Sequence, residues 1–211
     1  MSAPLTNSPC STTFAALDPA ADVVEVARSR VPGGDIRVGS AEALPFADGE
    51  FDAVLAQLVV NLVDDPRAAV REMARVARSG AVVAGSFWDD EEMPLLRSFW
   101  NAARFAAPAE LAEVSQQARV GLAEVAVLCR WWEGAGLREI ELDKFEVHAD
   151  YDGFDDLFFS FEAGMGESGA LYVSLDEKQR AALRSEAHRL LGSPDGPFRL
   201  TAGAWTVRGE R

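Results

Sequence analysis

The chain has 211 residues, 48% of them hydrophobic and 26% charged, with 34 acidic against 20 basic side chains and a formal net charge of −14. That length fits one α/β domain, or one domain with a helical appendage, and is enough to bury a sizeable core. The acidic balance argues against a nucleic-acid or anionic membrane partner, since both need a basic face; it reads instead as a solvated surface.

No apolar run reaches the ~18 residues a membrane-spanning helix needs. The opening MSAPLTNSPCSTT has neither the basic nor the apolar region of a signal peptide, so the expected compartment is the cytoplasm. Cys10 and Cys129 make no disulfide framework. With His148 and His188 they show no metal-ligand spacing, so no metal is expected.

Residues 1–13 carry Pro4 and Pro9 and read as an irregular tail. Phe14–Leu17 is a short buried strand running into Asp18-Pro19, a cap followed by proline at a first helical position. Val23, Val26 and Ala27 form the helix's apolar stripe, and Pro32-Gly33-Gly34 stops it. Ile36–Val38 is a second strand. After the turn Ala47-Asp48-Gly49, Phe51–Leu55 is a third, apolar enough for a strand covered on both faces. Asp65-Pro66 starts another helix, with Val70, Met73, Ala74 and Ala77 on its buried face, and Ala81–Ser86 is a fourth strand. Strands alternating with helices imply parallel pairing and right-handed crossovers, with a ligand at the strand carboxyl ends.

Helices follow around Leu96–Ala103 and Val125–Trp132, then a strand over Leu137–Leu142. An aromatic helix holds Phe154, Leu157, Phe158 and Phe161. Asp176 with Gln179 is a capping box opening a helix through Leu183, Ala187, Leu190 and Leu191. Phe198–Val207 closes the chain as a strand.

The order FAALDPAADVVEVARSR, GSAEALPFADGEFDAV, RAAVREMARVARSG, AVVAGSFW resembles the middle of a class I S-adenosylmethionine (SAM)-dependent methyltransferase with a type 11 methyltransferase domain. The resemblance implies a Rossmann-like, doubly wound, mostly parallel sheet with an antiparallel carboxyl-terminal edge hairpin. Residues 14–211 are then one methyltransferase-like domain, with helical lid segments at about 93–133 and 151–192. The family's first strand and its glycine-rich loop are missing here, because only the thirteen glycine-free residues of the tail precede Phe14. In the family that strand lies between those ending at Asp18 and Leu55. Its loss leaves two strand edges facing each other, at roughly 1–3 kcal/mol per buried orphan group. The resemblance therefore implies a chain truncated at its start, a degenerate remnant, or a smaller sheet whose edges have closed together.

The resemblance also assigns the cofactor, SAM, and its candidate contacts. Asp18 ends a strand where a carboxylate accepts from both ribose hydroxyls; read from the residues alone, it is a helix cap. Ser40-Ala41-Glu42 stands where relatives carry Asp-Ala-Glu, the first side chain meeting the adenine amino group and the next backbone N–H a ring nitrogen. Gln57 begins the segment under the methionine moiety, and Asn61 falls near the substrate. Gln57 and Asn61, polar in an apolar run, are expected at a cleft edge. Phe99, Trp100, Phe158, Phe159 and Phe161 are either a substrate pocket or plain core. No residue is nominated as catalytic base.

The expected function is methyl transfer to a small-molecule acceptor, inactive as the chain stands if the glycine loop is indispensable. The alternative is a non-catalytic remnant or interaction module whose open edge recruits a partner strand. A nicotinamide-dependent reductase is disfavoured, since Tyr151 and Tyr172 are followed four places on by Asp155 and Asp176, not lysine.

Overall fold

In a computed structural model the described residues are 14–89, 91–113 and 125–211; the expectations for the tail, including Cys10, and for part of the first lid segment lie outside them. Two parallel units open the chain. In the first, β1 (Ala15–Asp18) and β2 (Asp35–Val38) flank α1 (Ala21–Arg30) and pair from Ala15 opposite Asp35 to Asp18 opposite Val38. In the second, β3 (Phe51–Gln57), a 3-10 turn (Val60–Leu62) and α2 (Pro66–Val76) lead to β4 (Ala77–Trp88), which pairs with β3 as far as Gln57 opposite Ser86.

There follow α3 (Pro94–Ala106), α4 (Pro108–Glu113), α5 (Val125–Gly134), β5 (Arg138–Tyr151), α6 (Phe154–Glu162), α7 (Gly166–Ser174), α8 (Glu177–Leu190) and β6 (Phe198–Glu210). The larger sheet has the order β3-β4-β6-β5, with β6 antiparallel to both neighbours; β1 and β2 form a separate two-stranded sheet. The reversed edge pair is therefore present, with three helices between its strands. No described helix is long and apolar enough to cross a membrane.

Local chemistry accounts for the helix starts. Asp65 caps α2 by accepting the Ala68 N–H at 3.0 Å, with Pro66 in the first turn. At α8 both halves of the Asp176–Gln179 capping box form. The start of α1 corrects the sequence reading. Its N-cap is Ala20, and the Asp18 carboxylate accepts the Ala20 N–H at 2.8 Å in the turn ahead of the helix. The two glycines of α7 break its apolar periodicity, which is why that helix has no clear trace in the sequence.

Two apolar clusters hold the molecule. One joins the inner face of α2 (Val70, Met73, Ala74) to Val83 and Phe87 of β4, Leu128 and Trp132 of α5, and Val207 of β6. Trp132 is fully buried and donates its indole N–H to the Val83 carbonyl at 2.9 Å. The other cluster is helical, packing α3 against α6, α7 and α8 through Phe99, Phe158, Phe161 and Leu183.

Two packing expectations fail. On α1, Val24 is the buried residue, while Val23 and Val26 are each 49% exposed. On β3, Val54 and Ala56 pack toward the core, but Leu55 is 75% exposed, so this strand is covered on one face only. Leu55 lines the gap between the two sheets. Nor do the edges of β1 and β3 pair with each other: among the described residues each has a single strand partner. Their outward backbone groups face an open cleft, so the penalty for burying orphan groups does not apply in full.

Candidate functional site

The cleft between the sheets has a volume of about 800 Å³, within the range of small-molecule sites. Asp18, Ser40, Ala41, Glu42 and Gln57, five positions spread over forty residues of sequence, all line it. β1 and β2 run parallel, so Asp18 and the Ser40–Glu42 loop stand at the same end of their sheet. Glu42, just past β2, accepts the N–H of Asp65, just past the turn that follows β3, at 2.6 Å.

Asp18 is half-buried at the end of β1. One carboxylate oxygen takes the Ala20 N–H; the other has no protein partner among the described residues, leaving it to accept from a ligand hydroxyl. The Asp18 carbonyl accepts the Gly39 N–H at 3.1 Å, which ties the ends of β1 and β2. Glycine fits there because a Cβ at position 39 would stand 2.8 Å from the Leu17 side chain.

Ser40 and Glu42 form a clasp. The Ser40 hydroxyl donates to Glu42 Oε2 at 2.7 Å and accepts the Glu42 N–H at 3.1 Å. The Ser40 hydroxyl, then the Asp65 N–H, hold the Glu42 carboxyl below its ordinary value. Both Glu42 oxygens are thus engaged in shaping the loop. Ser40 retains acceptor capacity, and the Ala41 N–H donates to no protein acceptor among the described residues, as a ring nitrogen would require.

Gln57 ends β3, exposed at the cleft wall. The chain then turns through Leu58, whose φ of 58° is rare for a bulky residue, while its N–H reaches the Ser86 carbonyl at 2.9 Å. Asn61 is half-buried and does not line the cleft, contrary to the edge position expected of it. Phe99, Phe158 and Phe161 are core, Phe159 is 64% exposed, and none of the five aromatics reaches this cleft.

The sequence reading did not find the outer support. Arg75 on α2 donates to the carbonyls of Leu44 and Phe46 and to Glu72 and Asp48. Glu72, then Asp48, hold its guanidinium firmly charged. Glu72 in turn accepts the Leu44 N–H at 2.8 Å. Its sequence signal is slight: an i,i+3 Glu–Arg pair on a helix, indistinguishable from an ordinary surface pair.

Among the described residues Asp18, Glu42 and Asp64 are the charged ones lining the cleft, and no described Lys, Arg or His does so. Gly39 is the sole glycine among the lining residues, so no glycine-rich loop borders the cleft among the described residues. The acidic lining therefore favours a neutral or cationic ligand over an anion. Ligands of doubly wound α/β sheets lie in such clefts at the carboxyl ends of the strands.

Residues 2–85 match the family model for a methyltransferase domain. The demethylmenaquinone methyltransferase of Renibacterium salmoninarum is 42% identical over 65 residues, 31% of this chain and 27% of that protein. The malonyl-[acyl-carrier protein] O-methyltransferase of Enterobacter lignolyticus is 33% identical over 87 residues, 41% of this chain and 35% of that protein. The matches thus span about a third or less of these relatives' own lengths. A SAM-dependent methyltransferase structure from Thermotoga maritima superposes with a TM-score of 0.51 at 18% identity, covering 92% of this chain and 71% of that one. The fold is that of methyltransferase structures, and residues 2–85 carry the match to a methyltransferase-domain family. The cofactor of that family is S-adenosyl-L-methionine.

Proposed function

We propose that the chain binds SAM through its adenosine half and serves methyl transfer to a small-molecule acceptor. The observation that carries this reading is the convergence of Asp18, Ser40, Ala41, Glu42 and Gln57 on one cleft with no basic lining among the described residues. In this reading Asp18 accepts from the ribose hydroxyls through its uncommitted oxygen. The Ala41 N–H and the Ser40 oxygen meet the adenine, and Glu42 holds their loop in place. Gln57 borders the methionine side. SAM supplies an electrophilic methyl on a sulfonium, delivered by in-line displacement.

The cleft's carboxylates complement that positive charge. What the chain contributes is position: the Ser40–Glu42–Asp65 clasp and the Arg75 support fix the loop before the ligand arrives. Glu42 is held ionised by its donors, so it is no general acid, and with both oxygens engaged it is no free base. The name of the malonyl-[acyl-carrier protein] O-methyltransferase supports an acceptor bearing an oxygen nucleophile. Isothermal calorimetry tests the reading. Saturable SAM binding is expected, weakened at least tenfold by Asp18→Ala; no heat from folded protein would sink it.

A further inference from the structure

Three non-glycine residues among those described take a positive φ: Leu58, Glu139 and Ser193. Glu139 lies at the bulge of β5, and Ser193 in the glycine- and proline-rich turn after α8. Leu58 differs in kind and in place. Its φ of 58° suits glycine, asparagine or aspartate, and a leucine adopts it against steric resistance. It stands between Gln57 and Val59, both of which line the cleft. β4 continues past Ser86, the partner of Gln57, to Trp88, so β3 has a template to extend along. The Leu58 N–H still bonds the Ser86 carbonyl at 2.9 Å, and the reversed φ then takes the chain off the ladder. Val60 turns inward and is 1% exposed, and the Leu62 N–H donates to the Val59 carbonyl at 2.8 Å to close the 3-10 turn. Val59, Val60, Leu62, Val63 and Asp64 all line the cleft beyond it.

We infer that Leu58 is a positioning residue. Its left-handed backbone holds Gln57 and the segment from Val59 to Asp64 on the cleft wall before a ligand arrives, so that binding need not order them. Leu58 itself does not line the cleft and acts through its neighbours. A strained conformation persists only where its surroundings over-determine it. Here the bond to Ser86 fixes one side of the residue and the buried Val60 fixes the other. A glycine would take the same φ without steric cost, but it would take others as readily and leave the wall loose. The inference deepens the methyl-transfer reading and rests on it for the identity of the ligand alone.

Three substitutions in the whole chain separate backbone conformation from side-chain packing. Leu58→Asn tolerates the left-handed region, Leu58→Gly permits it without enforcing it, and Leu58→Val opposes it through β-branching. The first readout needs no ligand. In 15N-labelled protein, Leu58→Val should shift the Gln57 side-chain amide and the Val59 N–H, and speed exchange of the position-58 amide roughly tenfold or more. Leu58→Gly should broaden the Gln57 and Val59 signals, and Leu58→Asn should leave them close to wild type. The second readout is affinity for S-adenosylhomocysteine. It should fall roughly tenfold in Leu58→Val and several-fold in Leu58→Gly, and stay within about twofold in Leu58→Asn. A leucine that served packing alone would give the opposite order, with Leu58→Val the mildest variant, and that order overturns the proposal. If Leu58→Val does not fold, Leu58→Gly decides, and sharp Gln57 and Val59 signals with wild-type affinity overturn the proposal. Wild-type protein that binds no S-adenosylhomocysteine refutes the methyl-transfer reading, while the ligand-free signals still decide the role of Leu58.

Discussion

Gly85 and Trp132 offer the clearest energetic check on how the helical layer is locked to the sheet. Gly85 lies on buried β4, and a Cβ there would stand 2.8 Å from Trp132 Cη2 and 3.2 Å from the Phe87 ring. The indole has little room to move away, since it is fully buried and tied to the Val83 carbonyl. Gly85→Ala should therefore overpack the site and cost about 1–3 kcal/mol. For a chain of this size each kcal/mol lowers Tm by about 2–4 °C. Trp132→Leu removes the ring and orphans the Val83 carbonyl, costing about 3–5 kcal/mol. Adding Gly85→Ala to Trp132→Leu should then cost little, because the obstructing ring is gone. Urea unfolding of the four proteins should yield a coupling of about 1 kcal/mol or more in the direction of rescue. Strict additivity would refute the claim that the glycine exists to admit the indole.

Three further outcomes follow from the geometry. Asp65→Ala should destabilise by about 1 kcal/mol through loss of the α2 cap, visible in thermal unfolding, while Asp65→Asn should retain most of it. The Glu42 clasp is pH-dependent. Its folded-state carboxyl titrates below the ordinary 4.5, so its contribution is complete above that value and lost as pH falls through the lower one. Exchange of the Asp65 amide should accelerate over that acid window, and Glu42→Gln should flatten the response. Lys144 bonds Asp89 at 2.6 Å and Glu92 at 2.8 Å beside the Trp205 ring. Burial pushes the Asp89 carboxyl up, but Lys144 and the Glu91 N–H outweigh it and leave it below its ordinary value. Lys144→Met should lower Tm at neutral pH, and the deficit should fade in acid as Asp89 protonates.

Much of this was legible because it is local. Asp65-Pro66 and the Asp176–Gln179 box set helix starts through contacts three residues long, and alternating strands and helices restricted the topology. The five candidate residues converge because each sits at a strand end, a position the sequence marks. The failures are non-local. Which of Val23, Val24 and Val26 is buried depends on what lies beside α1, and periodicity cannot report that. Leu55 looks like core for the same reason. Phe99 and Phe158 have the composition of a pocket and the packing of a core, a distinction made by the partners in α6 to α8. The Arg75 support joins residues about thirty positions apart, and the positive φ at Leu58 occurs in a residue type that does not advertise it.

The central claim is that the adenosine-binding half of a SAM site is assembled in this cleft. It is tested most directly by an amide NMR titration of the 15N-labelled chain with S-adenosylhomocysteine, wild type beside Asp18→Asn, which keeps an acceptor for the Ala20 N–H. Saturable shifts at Ala41, with smaller ones at Asp18, Gly39 and Gln57 and markedly weaker binding in the variant, are the predicted result. A folded protein whose Ala41 amide does not move at saturating ligand, or whose variant binds equally well, would contradict the account.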